Sequence, residues 1–283
     1  MSRQKRTALL HVTMPRDHTA SLLNAASSEA LAAGFDGLEV PLGTLPGFAD
    51  QVLQIGASSG FRVAVVAAMC RGTDVETVLA DLLPILHGAA DLGASCLNLT
   101  LAPVHGSDAH AAEHVFGSYQ AALNFAYQLL RQARFDAEAT GVALALEAAA
   151  GGSLLSPVEL RELIDAANSW AVGACVDTRR VRRVGRVADW LATLGHRVHA
   201  FRWHAVGPVA GDEPAVAGEE EGHDVARALD GIAYERPVIA GGPQGPAALR
   251  RALEVLGWVP GRPPVADPPG TAVDCRQEIP PVE

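Results

Sequence analysis

The sequence predicts an α/β fold of one class, the closed (β/α)8 TIM barrel, on three observations. Short apolar runs with strand character alternate with longer helical patterns along the chain, the signature of βαβ units around a parallel sheet. Eight such runs can be counted, and most are near-continuous in Val, Ala, Leu and Ile, as strands covered on both faces require. No G-x-G-x-x-G follows the first run, so the open dinucleotide-binding sheet lacks its main support. At 283 residues the chain is the size of one barrel, read as residues 1–258 with a Pro-rich C-terminal tail at 259–283.

The strands are placed at 7–14, 37–42, 61–69, 94–101, 142–148, 171–177, 198–204 and 236–241. Helices are expected at 19–34, 45–59, 74–92, 112–140, 156–168, 187–195, 222–233 and 246–257. Local punctuation supports several of them. Ser156-Pro157 supplies an N-cap followed by proline at the first helical position, and Thr73-Asp74 opens the third helix. Gly34, Gly60, Gly93, Gly141 and Gly257 stand where helices should close. Beyond Trp258, seven prolines from Pro260 to Pro281 exclude regular helix.

Composition removes several classes of function. A net charge of -10 opposes nucleic-acid binding, which depends on neutralising phosphates with Lys and Arg. The run Arg179, Arg180, Arg182, Arg183, Arg186 is the local exception and reads as a solvated loop and helix start. No apolar stretch reaches the length of a membrane span, and the stretch after Arg6 lacks a signal-peptide cleavage pattern, so a cytoplasmic location is expected. Cys70, Cys96, Cys175 and Cys275 show no C-x-x-C spacing and read as buried thiols. Lys5 is the only lysine, which leaves Schiff-base chemistry without a residue in the body of the barrel.

In a (β/α)8 barrel the reactive groups stand at the C-terminal ends of strands and in the loops that follow. Strand 1 then offers His11 and Thr13, strand 2 Glu39, and strand 4 Asn98 and Thr100 with His105 in its loop. Strand 5 ends at Glu147, strand 6 at Asp177, strand 7 at Arg202 and His204, and strand 8 at Gly241-Gly242. Glu147 and Asp177 are the most informative, because each ends an otherwise apolar strand, and a buried carboxylate needs a cation, donors or water. They could also serve only to cap a helix or to pair with arginines at the barrel mouth. Alternation puts His204 on the face of Arg202 and turns His199 toward a helix. Gly241 to Gly245 could surround an anion with backbone N–H groups or form an ordinary turn.

Leu38-Glu39, Leu146-Glu147 and Val176-Asp177-Thr178, in this order and spacing, resemble the xylose isomerase-like superfamily of sugar-phosphate isomerases and epimerases. Gly218 to Asp224, like the Gly-x-Gly-x-x-Asp element before the seventh helix, and Ala233-Tyr234 before the last strand extend the resemblance over roughly residues 7–257. The resemblance implies one divalent ion held by a Glu on strand 5, an Asp on strand 6, a His on strand 7 and a Glu on strand 8. Glu147 and Asp177 match the first two as metal ligands; Arg202 and Ala240 stand at the other two positions. The family's Asp-x-x-His on strand 6 reads Asp177-Thr178-Arg179-Arg180. A bound Mn, Zn, Co or Mg is therefore expected only if a register shift makes His204 the strand 7 ligand. Formal counting gives two carboxylates with one buried arginine about the same charge, ~-1, as three carboxylates with a divalent ion, so Arg202 can replace a metal electrostatically.

The resemblance implies a sugar isomerase/epimerase-like protein that acts on or binds a small polyhydroxylated ligand at the barrel mouth. Glu147, Asp177, Arg202 and His204 are then the catalytic candidates, and Glu39, His11, His105 and Arg180 the substrate contacts. The alternative is a non-catalytic ligand-binding or scaffold barrel that has lost its metal site. An abasic-site endonuclease shares the fold but needs a multi-metal centre and a basic docking face. The expected partner is a sugar-type small molecule, with no nucleic acid, no membrane and a homo-oligomer as an open option.

Overall fold

A computed structural model describes residues 7–12, 20–41, 63–70, 72–101, 104, 116–148, 154–204 and 219–257. Within them lie β1 (Ala8–His11), β2 (Gly37–Pro41), β3 (Val63–Met69), β4 (Cys96–Thr100), β5 (Ala143–Glu147), β6 (Val172–Asp177), β7 (Val198–His204) and β8 (Val238–Gly241). All neighbours pair in parallel and in sequence order, and β8 returns to β1 through Ala8↔Val238 and Leu10↔Ala240, closing the barrel. The described helices are α1 (Ala20–Ala32), α2 (Val75–Asp91), α3 (Tyr119–Thr140), α4 (Pro157–Ala167), α5 (Thr178–Val181), α6 (Val187–Leu194), α7 (Glu219–Gly231) and α8 (Pro246–Ala252). The expected helix at 45–59, Thr13, His105, Cys275 and the tail at 259–283 fall outside the described residues.

The period of two along each strand separates two apolar layers. Leu38, Val40, Leu97, Leu99, Leu144, Leu146, Val176, Phe201 and Trp203 point outward and join the helices in the main core. Leu9, Val65, Cys96, Ala143, Ala145, Cys175, Ala200 and Ile239 point inward and form a second cluster inside the barrel. Most of these inner side chains are small. The next inward positions toward the C-terminal ends are His11, Glu39, Asn98, Glu147, Asp177 and Arg202, so an apolar floor carries a polar layer.

Capping chemistry fixes several helix starts. Asp74 accepts the Thr77 N–H at 2.9 Å before α2, and Ser156 accepts that of Val158 at 3.2 Å before α4. At the end of α3, Gly141 takes φ +73°, a left-handed turn that its missing side chain permits.

Three details correct the sequence reading. The helix expected from 112 begins at Tyr119, because Ser118 caps it by accepting the Ala121 N–H at 3.1 Å. The last helix stops at Ala252 and continues only as a 3-10 turn, Glu254–Leu256. His199 does not turn toward a helix: Ala174 pairs with Val198 but Cys175 with Ala200, so His199 is an extra residue in β7 and strict alternation fails there. Its ring lies against the inward face of Gly173, where an added Cβ would meet Cγ at 2.3 Å.

Candidate functional site

Arg202 organises the polar layer. Small inner residues below it, Ala145, Cys175 and Ala200, leave room for its side chain to cross the barrel. Nε donates to Oε2 of Glu39 at 2.9 Å and Nη2 to Oε1 of the same carboxylate, a bidentate grip. Nη1 donates to Glu147 Oε1 at 2.9 Å and to Asp177 Oδ2 at 2.7 Å. One guanidinium thus joins carboxylates from β2, β5 and β6 to β7.

Each carboxylate oxygen has a further or alternative donor. Asn98 Nδ2 donates to Glu39 Oε1 at 2.5 Å, and His11 Nδ1, on the strand position paired with Glu39, contacts Oε2 at 2.5 Å. Thr100 donates its hydroxyl to Glu147 Oε2, while Arg180 Nε donates to Oε1 at 2.9 Å. Asp177 caps α5: its Oδ1 accepts the N–H groups of Arg179 at 2.9 Å and Arg180 at 3.3 Å. His204 Nε2 contacts Asp177 Oδ2 at 3.0 Å. An ionised carboxylate only accepts, so the histidine nitrogens facing Glu39 and Asp177 carry the protons.

Electrostatics follow from this geometry. Burial opposes ionisation of Glu39, but Arg202 and His11 outweigh it and hold the carboxyl well below the usual range. Burial likewise opposes charge on Asp177, and His204 and Arg202 overcome it, so its proton is held off to strongly acid pH. Burial disfavours the charge on Arg202; the carboxylates of Glu39 and Asp177 reverse that and push its pKa above the ordinary arginine value.

The sequence candidates divide by depth. Glu147, Asp177 and Arg202 are buried in the cluster, and Glu39, expected as a ligand contact, lies one layer deeper than a contact and is 0% exposed. Above it stand the side chains of His204 at 15%, His11 at 24% and Arg180 at 36% exposure, which form the accessible rim. Three carboxylates rather than the expected two meet the arginines, and with Arg202 and Arg180 they leave a formal charge of -1. The arginine run is only partly solvated, since Arg182 pairs with Glu221 at 3.0 Å and Arg186 with Asp224 at 3.0 Å.

Two residues named from the sequence, Thr178 and Gly241, have roles that sequence reasoning did not give them. Thr178 Oγ1 accepts the His204 N–H at 2.9 Å and so anchors the end of β7. Gly241, paired with His204 across β7 and β8, makes space for the imidazole: an added Cβ would lie 2.8 Å from its Cε1. The available signal was a glycine at an inward position beside a histidine.

A divalent ion does not fit this centre with Arg202 in place. The guanidinium lies among the three carboxylates, and all six of their oxygens already accept a hydrogen bond. Among the described residues, no group of three or more His, Cys, Asp or Glu side chains is arranged to hold a metal.

The fold recurs in solved structures. A 3-keto-D-glucoside 4-epimerase from E. coli superposes with a TM-score of 0.66 at 17% identity, covering 89% of this chain and 99% of the other. A D-allulose 3-epimerase from Methylomonas sp., in complex with D-allulose, gives 0.65 and 17%, with 90% and 97% covered. A barrel protein from Mycobacterium smegmatis in complex with magnesium gives 0.64 and 14%, with 89% and 96% covered. No curated protein matches the chain. The family model for the xylose isomerase-like TIM barrel matches residues 28–257, most of the chain, and carries the conclusion that the fold and the strand-end carboxylates prepared: this protein belongs to the xylose isomerase-like TIM barrel family.

Proposed function

We propose that this protein binds a small polyhydroxylated, sugar-type ligand at the C-terminal mouth of its barrel, as a sugar isomerase/epimerase-like member of its family. The observation that carries the reading is the division between rim and centre. His11, His204 and Arg180 are partly exposed, and each holds a buried carboxylate with one face of its polar group. The second ring nitrogens of the histidines and the terminal nitrogens of Arg180 are then the groups that a ligand meets. Hydroxyls, which both donate and accept, suit such a mixed rim. The names of two proteins of similar fold, a 3-keto-D-glucoside 4-epimerase and a D-allulose 3-epimerase, support this choice of ligand class.

The commitment of Glu39, Glu147 and Asp177 to Arg202 favours binding over turnover. A carboxylate that removes a proton from carbon must first leave the guanidinium, and breaking a buried ion pair from one side costs roughly 3–5 kcal/mol. The same reading implies a cytoplasmic role in carbohydrate metabolism. Titration of D-allulose, D-tagatose, L-ribulose and their phosphates, followed by calorimetry and ligand-observed NMR, tests the reading. Binding weakened about tenfold or more by Arg180→Ala or His204→Ala, with no epimer formed, is expected. Failure of every sugar to bind, or binding indifferent to both substitutions, removes it.

A further inference from the structure

The centre of the barrel already contains a cation, and it is Arg202. We propose that Arg202 closes a divalent-cation position which Glu39, Glu147 and Asp177 would otherwise form, so that this residue makes the protein a metal-independent member of its family. The inference concerns the floor of the site and stands apart from the identity of the ligand above it.

The geometry assigns the position to Nη1. That atom lies 2.9 Å from Glu147 Oε1 and 2.7 Å from Asp177 Oδ2, so two carboxylates from adjacent strands already flank one point of positive charge. Magnesium-type ions bind oxygen at about 2.0–2.1 Å and calcium at about 2.3–2.6 Å, distances these side chains reach by small movements. Glu39 grips the opposite edge of the guanidinium and supplies a third carboxylate. His204 Nε2, 3.0 Å from Asp177 Oδ2, offers a nitrogen next to the same point once an ion displaces the proton it shares with that carboxylate. Carboxylate oxygens suit Mg and Mn, and one imidazole extends the set to later first-row divalent ions.

With arginine present the position refuses a metal for two reasons. Arginine stays protonated, and a fixed positive charge at hydrogen-bond distance from the ligand oxygens repels a divalent ion strongly in a low-dielectric interior. The side chain also fills the space, because the residues below it, Ala145, Cys175 and Ala200, are packed into the inner apolar cluster. Arg180 Nε on Glu147 adds a second charge, but its side chain is more than a third exposed and is screened by solvent. Removing Arg202 therefore vacates the space and uncovers three carboxylates together.

The test compares the full-length protein with Arg202→Ala and Arg202→His, each dialysed and analysed for metals, then titrated with Mn2+ and Co2+ by calorimetry. The parent is expected to retain no stoichiometric metal and to take up none at this site. Both variants are expected to take one equivalent at least about tenfold more tightly than the parent, and to melt higher when Mn2+ is added. Glu39→Gln placed on Arg202→Ala should weaken that uptake, which locates it. The proposal is overturned if the parent keeps near-stoichiometric Mn, Zn, Co or Mg, or if the folded variants bind no more tightly than the parent. Variants that stay unfolded even with Mn2+ present also overturn it, since the ion then fails to replace the guanidinium. Loss of sugar binding leaves the metal titration unaffected, so the two readings fail separately.

Discussion

Arg202 donates through Nε, Nη1 and Nη2 to three carboxylates, all of them buried, and among the described residues no other arginine pairs with as many. Arg202→Ala should therefore destabilise the protein by about 3–5 kcal/mol, because what remains is a set of uncompensated carboxylates. Arg251→Ala, at an exposed position, should change stability by less than about 0.5 kcal/mol. Urea denaturation of both variants checks this, and equal midpoints would remove the electrostatic role given to Arg202. Gly241→Ala asks a finer question at the rim. Its Cβ would fall 2.8 Å from His204 Cε1, and since a side chain can swing away, the expected result is a displaced imidazole with weakened sugar binding and nearly unchanged stability. An unshifted His204 ring and unchanged affinity would show that the rim does not use it. At this scale the sequence was informative where charge interrupts an apolar strand: Glu147 and Asp177 could be placed at the C-terminal strand ends from Leu-Ala-Leu-Glu and Ala-Cys-Val-Asp alone. Glu39 is flanked by Leu38 and Val40 in the same manner, yet its depth depends on Asn98 and Arg202, which approach from strands 59 and 163 residues away.

The elements were legible because both of their signals are local. Apolar runs mark β1 to β8, and Ser156 and Asp74 cap the helices as their side chains demand. What strict alternation misses is a bulge, since one inserted residue changes the facing of its neighbours without any change in composition. β7 contains such a bulge at His199, and its ring rests on Gly173, which is why that position of β6 lacks a side chain. In Gly173→Ala the new Cβ would lie 2.3 Å from His199 Cγ and 2.6 Å from the carbonyl oxygen of Arg197, so both a ring and a backbone must move. A loss of roughly 1–3 kcal/mol is expected, as for other overpacked interiors. Combining it with His199→Ala should recover only part of that loss, because the Arg197 carbonyl still crowds the site. Full recovery in the double variant, measured by thermal melts, would place the whole strain in the ring.

At the scale of the molecule the Arg202 cluster acts as a staple across the mouth of the barrel. Ion pairs join β2, β5, β6 and β7, while His11 adds β1 and Asn98 and Thr100 add β4. A staple made of depressed carboxylates has a definite acid response. Glu39 and Asp177 hold their protons off in the folded state, whereas unfolded carboxyls take them up near pH 4. Their contribution is therefore complete above that pH and is lost as pH falls, the unfolded chain binding protons first. His199 works in the same direction at higher pH: burial, helped by Arg236 and His196, pushes its pKa down to about 3, so the folded state gains less than the unfolded one from protonation below about 6.5. Stability should then decline in two stages on acidification, a shallow one from about pH 6.5 and a steeper one below about pH 5. His199→Asn should abolish the first stage and leave the second. In Arg202→Ala the carboxyls lose the charge that holds their protons off, so the second stage should flatten even though the variant is less stable at neutral pH. Denaturation measured at a series of pH values separates these effects. A parallel pair of curves for the parent and Arg202→Ala would mean that the acid response arises elsewhere and that the mouth of the barrel is not held by this cluster.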